Sequence, residues 1–338
     1  MAGQYLSRAK LTEALADERC LWSAAGEQAG ARETITGLAG PRSSLSPKGW
    51  LYPSLQSVGR YGDESAPSPA EAQAPRAIVG LRACELAALK YLDKMLLEGP
   101  FHEPLYQSRR KSTVLVSTDC AAAAPTCFCT SVGGVPFAAD GYDVNLSPVD
   151  GGFIVDAATD RGRAWLASAG IECASAPAEQ LAQRDRTRRA VAEAVESQNR
   201  SAGLQAAQGQ ALGLPDDGDP AWQRYAADCV ECGACTNICP TCYCFYLYDQ
   251  ALGPGLFERV RAWDSCLLGT YHRMAGTTAN MKPTPRPRLR SRLANRVLHK
   301  FTYAPAQCGL LGCVGCGRCI EACLGAIDIR QVAGELRQ

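Results

Sequence analysis

Two periods of apolar residues organise the first half of this chain. Just past Arg76 the run AIVGL reads as a short buried strand. ACELAALKYLDKMLLEG follows, placing Leu86, Leu89, Leu92, Leu96 and Leu97 on one helical stripe, and Gly99-Pro100 stops it. Ser112–Thr118 (STVLVST) is a second buried strand, and Tyr142–Leu146 and Gly152–Val155 are strand-like. These pieces predict a small α/β unit ending near residue 175. Two of its apolar strands lead to a cysteine, Cys84 and Cys120. Residues 40–53 and 61–75 are turn-rich and read as loops. From 176 to 213 the chain is polar and alanine-rich, the pattern of a solvated helical connector whose charges need no function, and 214–220 is a break. The predicted fold is α+β, with an N-terminal α/β domain (1–175), a helical connector (176–220) and a helical C-terminal domain (221–338).

Composition changes this picture little until the cysteines are counted. At 338 residues and 46% hydrophobic content, the chain is long enough for about two domains with packed cores. A net charge of +1 argues against nucleic acid or a membrane surface as a general partner, and no apolar run is long enough to span a bilayer. Eighteen cysteines without an N-terminal apolar signal core point to a reducing compartment, so a cytoplasmic location is expected.

One cysteine run specifies the chemistry: Cys229-x2-Cys232-x2-Cys235-x3-Cys239-Pro240. A second follows near the C-terminus, Cys313-x2-Cys316-x2-Cys319-x3-Cys323, with Leu324 where proline usually stands. In such runs three thiolates hold one iron–sulfur cube and the fourth ligates its neighbour. Spacing therefore assigns Cys229, Cys232, Cys235 and Cys323 to one [4Fe–4S] cluster, and Cys313, Cys316, Cys319 and Cys239 to another. Structural zinc fits less well, since it favours two separated ligand pairs, often with histidine. The 240–312 interval leaves room for several helices between the runs, so 221–338 is expected to be a helical two-cluster ferredoxin-like domain.

Cys84, Cys120, Cys127 and Cys129 form a further set within the α/β unit and are candidates for a third [4Fe–4S] cluster. The competing reading is buried core cysteine, against which CxC in a loop argues because alternate residues of extended chain face opposite ways. Cys242, Cys244 and Cys266 either flank a cluster, replace one of its ligands or pack as core, with Cys308 as a fourth thiol that could join them. Cys20 and Cys173 read as packing or surface thiols.

Residues 281–300 carry seven Lys or Arg and no acid. Such a run is usually a solvated face. Functionally, it would raise cluster potentials or steer an acidic redox partner, whereas nucleic-acid binding lacks the interleaved aromatics. No GxGxxG follows a strand, no Walker A sequence is present, and three histidines make a His-based site improbable. The chain shows no catalytic centre of its own. Only an N-terminal cube with three protein ligands would supply one.

The segments VGLRACELAALKYLD, CFCTS, CGACTNICPTCYCF, WDSC, and HKF followed by CVGCGRCIEAC, spread over residues 79–323, resemble the iron–sulfur β subunits of cytoplasmic NAD(P)-linked [NiFe]-hydrogenases, the sulfhydrogenases. The related iron–sulfur subunit of anaerobic sulfite reductase shares the pattern. The resemblance implies an electron-transfer subunit between a flavoprotein that exchanges electrons with NAD(P)H and a catalytic subunit, with a ferredoxin as a further partner. Alternatives are the equivalent subunit of a sulfite or other reductase, a stand-alone ferredoxin-like carrier, and a nucleic-acid or regulatory iron–sulfur protein. The sequence leaves the partner, the direction of flow and the potentials open.

Overall fold

The strands read from the sequence assemble edge to edge. In the computed structural model, which describes residues 3–16, 20–22, 37–62, 76–99, 101–204, 210–274 and 284–337, ten strands form two separate sheets. In chain order they are β1 (Gln4–Ser7), β2 (Cys20–Trp22), β3 (Leu55–Tyr61), β4 (Arg76–Leu81), β5 (Thr113–Thr118), β6 (Val144–Val149), β7 (Gly152–Ala157), β8 (Ala174–Ser175), β9 (Phe245–Gly253) and β10 (Leu256–Trp263). The chain divides into two compact units, one comprising Met1–Leu51, Ala72–Arg200 and Val314–Cys316, the other Tyr52–Glu71, Ser201–Cys313 and Gly317–Gln338.

The first unit is built on a seven-stranded sheet in the order β2-β4-β5-β6-β7-β1-β8. β2, β4, β5 and β6 run parallel, and the β6–β7, β7–β1 and β1–β8 pairs are antiparallel. Parallel strands covered on both faces read as unbroken apolar runs rather than alternating ones, and all six residues of β5 are buried. Val79, Val116, Val144, Leu146, Phe153 and Val155 join Leu6, Leu11 and Leu166 in one core, with Cys173 packed half-buried against it. The predicted helical stripe forms Ala83–Leu97, which buries Leu86, Leu89, Leu92 and Leu96.

The stretch expected to be a solvated connector behaves differently. Its helix, Ala178–Asn199, buries Val191, Val195 and Asn199 within the first unit. Arg188 donates from Nε to Asp119 at 2.8 Å, and Gln198 and Asn199 donate to the Cys127 carbonyl at 2.7 and 2.8 Å. Two valines four residues apart were too sparse a stripe to outweigh the surrounding charge in the sequence pattern.

In the second unit the antiparallel sheet β3-β10-β9 takes two of its strands, β9 and β10, from an interval where helices were expected. β3 lies between two stretches that read as loops, of which residues 63–75 fall outside the described residues. The interval between the cysteine runs opens with the β9–β10 hairpin and only later turns helical, at Leu289–Leu298, a π-helical turn at His299–Tyr303 and Ala304–Cys308. FYLY and FERVRAW are rich in aromatic and β-branched residues, which favour a pleated surface. Among the described residues, no helix is long and apolar enough to cross a membrane.

Candidate metal centres

Each cysteine run folds as a tight loop feeding a one-turn helix that carries its third cysteine, Ala234–Asn237 in the first and Arg318–Glu321 in the second. The residues flanking the middle cysteine adopt left-handed backbone in both: Glu231 (φ 53°) and Gly233 (φ 70°) in one, Gly315 (φ 66°) and Gly317 (φ 73°) in the other. Glycine accepts it without cost; Glu231 is a rare non-glycine in that region. Its carboxylate is held by Arg292 Nη2 at 2.7 Å.

Cys229, Cys232, Cys235 and Cys323 line one cavity, together with Cys319. The walls are otherwise apolar, with Leu267, Leu293, Val297, Ile329 and Val332. Gly325 packs onto the Asp228 carbonyl so closely that a Cβ would collide with it, which ties the Cys323 loop to the start of the first run. Burial raises the Cys229 thiol pKa, and the neighbouring Cys235, Cys323 and Cys232 add to the effect while a backbone N–H opposes it. Arg296 also lines this cavity, 5% exposed, with Nη2 donating to the Cys235 carbonyl at 3.3 Å and Nε lacking a hydrogen-bond partner. A buried guanidinium with an unused donor on a cavity ringed by thiols fits an anionic iron–sulfur group.

Cys239 is buried beside Lys300, whose Nζ lies 3.3 Å from its Sγ and donates to Thr241 Oγ1 and the Gly312 carbonyl, each at 3.0 Å. A hydrogen bond from Cys242, then Lys300, Thr241 and Arg296, hold the Cys239 thiol well below its ordinary range against the cost of burial. Cys242, its hydrogen-bond partner, is pushed upward. Cys244 and Cys266 form a second hydrogen-bonded thiol pair: Cys244 is lowered to about 6 by Cys266, against burial, with Tyr271 assisting, and Cys266 is raised. Cys308 does not join these thiols and donates instead to the Ala304 carbonyl at 3.1 Å. Within the second unit, Cys313 and Cys319 accompany Cys239, whereas Cys316 falls in the three-residue segment that belongs to the first unit.

The N-terminal cysteines converge on the carboxyl edge of the parallel sheet. β4 ends in Arg82 and the first turn of the next helix, where Cys84 sits, and β5 leads through Asp119 to Cys120. Cys84, Cys120, Cys127 and Cys129 line one cavity with Ala123, Val191 and Val195, and Gly315 and Cys316 complete its wall. Phe128 N donates to the Gly315 carbonyl at 2.8 Å, and Arg42 donates to the Cys316 carbonyl and, at 3.1 Å, to Thr126 Oγ1. A Cβ at Gly315 would stand 2.5 Å from Cys129 Cα, so only glycine fits. Burial pushes Cys120 up to about 11, with Arg82 opposing, and Cys129 up to about 12. Apolar walls and raised thiols describe a site where iron would displace protons from sulfur on binding.

Arg82 is the residue here that sequence reasoning passed over. Fully buried, it donates to the carbonyls of Gly37 (2.8 Å), Leu38 (3.1 Å), Pro41 (3.3 Å) and Asp119 (2.8 Å). Within the basic stretch, Arg292, Arg296 and Lys300 are all buried rather than on a solvated or partner-facing surface, which leaves for them the reading of cations beside the clusters; residues 281–283 fall outside the described residues. The Cys20 side chain also lies outside them.

Among the described residues, no three Cys, His, Asp or Glu side chains draw together as a single metal ion requires. Thiols that line a cavity at wider spacing suit a polynuclear cluster better than tetrahedral zinc. Comparison with known proteins agrees in kind. Residues 228–327 match the family model of the 4Fe-4S dicluster domain, so the chain carries two [4Fe–4S] clusters. Over 261 residues, 77% of this chain and 74% of the relative, the sequence is 31% identical to sulfhydrogenase 2 subunit beta of Pyrococcus furiosus. At that identity and coverage, the chain belongs to the sulfhydrogenase β-subunit family.

Proposed function

We propose that this chain is the iron–sulfur electron-transfer subunit of a multisubunit cytoplasmic oxidoreductase. It relays electrons between a flavoprotein subunit that exchanges them with NAD(P)H and a catalytic subunit of [NiFe]-hydrogenase type. The observation that carries this reading is the gathering of Cys229, Cys232 and Cys235 with the distant Cys323 around one cavity. A crossed ligand set of this kind belongs to paired clusters set close enough to pass electrons. Its partner set is Cys313, Cys316, Cys319 and Cys239. When bound, the clusters supply one-electron steps. The chain's own residues hold them, exclude water with apolar walls and set their potentials.

A third cluster at Cys84, Cys120, Cys127 and Cys129 extends the relay. Its support is that all four thiols line one cavity, and that Cys316, a ligand of the second cluster by spacing, lines the same cavity. Membership in a multisubunit complex draws further support from the β3-β10-β9 sheet, which exposes Leu55, Tyr61, Phe245, Tyr246, Leu247, Leu252 and Phe257.

The test is anaerobic affinity purification from the native host with co-eluting chains identified by mass spectrometry. A nickel–iron large subunit together with a flavoprotein is the expected outcome. A sirohaem protein would keep the relay and assign it to sulfite reduction. Isolation of the chain alone with its clusters intact would overturn membership in a complex in favour of a free carrier.

A further inference from the structure

The first cysteine run and the helix ending in the π-helical turn are in step. Glu231, Cys235 and Cys239 follow one another at four-residue intervals, as do Arg292, Arg296 and Lys300. Each member of one series meets its counterpart in the other: Arg292 the Glu231 carboxylate, Arg296 the Cys235 carbonyl, Lys300 the Cys239 sulfur. Arg292 is neutralised by its acid. Arg296 and Lys300, 5% and 4% exposed, have no carboxylate partner among the described residues. Burying a cation without an anion costs several kcal/mol, so such a pair persists only where negative charge is supplied. The groups facing them are cysteines. Cys239 Sγ lies 3.3 Å from Lys300 Nζ, and Arg296 lines the cavity that Cys229, Cys232, Cys235, Cys319 and Cys323 surround.

We propose that Arg296 and Lys300 set the potentials of the dicluster domain: Lys300 raises that of the cluster Cys239 ligates, and Arg296 raises both. The inference rests on the two-cluster reading of the domain. Reduction adds one negative charge to a cluster already anionic, so a nearby buried cation stabilises the reduced form more than the oxidised one. A hydrogen bond to the ligating sulfur acts in the same direction, because it withdraws electron density from the iron. Lys300 does both at one sulfur. Arg296 lines the Cys229 cavity, and Cys319, a ligand of the second cluster by spacing, lines it too, so its charge is shared between the two centres. The π-helical turn that begins at His299 brings Lys300 against Gly312, whose carbonyl it bonds at 3.0 Å. Irregular turns of this kind inside helices often mark functional positions.

The experiment is an EPR-monitored redox titration of the anaerobically purified complex, with iron and sulfide counted on the same samples. Lys300→Met and Lys300→Gln should each shift one cluster's equilibrium at least tenfold toward the oxidised form, ~59 mV for a one-electron couple, and move the other less. Lys300→Arg should keep the wild-type value, and Arg296→Gln should lower both potentials. Unchanged potentials in a neutral Lys300 variant that retains its iron would overturn the proposal. So would a Lys300→Arg shift as large as that of Lys300→Met, or loss of iron in both neutral variants, which would assign Lys300 to structure alone. A wild-type complex without iron and sulfide at this domain would instead overturn the two-cluster reading beneath it.

Discussion

At the scale of single residues, thiols that hold iron are distinguishable from thiols that pack. Cys232→Ser should cost the complex one cluster, about four iron atoms per chain, and interrupt the relay. Cys173→Ser should leave the iron content unchanged, since Cys173 packs against the sheet core. Iron assays on the two variants distinguish the roles, and full iron in Cys232→Ser would refute the assignment. Arg82 is a structural residue of the same rank. Arg82→Met would remove the guanidinium donor from the Pro41 and Asp119 carbonyls, leave Gly37 with only the Gly40 N–H and Leu38 with only the Thr118 hydroxyl, and lower the first unit's stability by about 2–4 kcal/mol, read as a fall in the urea midpoint. None of its bonds was legible in the sequence, because all four acceptors are backbone atoms, three of them in the remote 37–41 turn. The two-cluster domain was legible for the opposite reason: cluster geometry imposes a local cysteine spacing that survives any surrounding fold. Burial of Arg296 and Lys300 could not be read either, since a periodic cationic helix face ordinarily turns to water and only an anionic centre reverses that preference.

At the scale of elements, two glycines hold loops together by having no side chain. Gly315→Ala would combine a positive φ of 66° with a Cβ 2.5 Å from Cys129 Cα. The expected result is loss of iron from the N-terminal site, about four atoms, together with altered EPR signals from the cluster assigned to Cys313 and Cys316, because Gly315 lies between those two cysteines. Gly325→Ala should act on the other centre, since its Cβ would strike the Asp228 carbonyl next to Cys229. Signals from the Cys229 cluster should vanish first in that variant. Strands β4 and β5 were clear from their apolar runs, and the helix Ala83–Leu97 from its leucine stripe. The β9–β10 hairpin was not, because expectation for the whole interval came from the helical style of two-cluster domains rather than from its own β-rich residues. The Ala178–Asn199 helix shows the same limit from the other side: two buried valines are too few to mark a face that charged neighbours otherwise dominate.

At the scale of the whole molecule, the chain has the character of an electron-transfer subunit. Two sets of its cysteines line cavities and Cys239 is buried beside a cation, while its exposed apolar sheet residues have the character of a surface covered by another protein chain. Leu247→Glu, on the edge strand β9, should therefore weaken co-elution with partner chains and leave iron content intact, as read by size-exclusion chromatography with iron analysis. The most direct test of the central claim is an anaerobic reductive titration of the purified complex, counting by EPR the electrons this chain accepts. Three one-electron centres per chain are predicted, with one lost in Cys232→Ser and a different one in Cys120→Ser. A chain that accepts no electrons, or whose electron count is unchanged by both substitutions, would contradict the account.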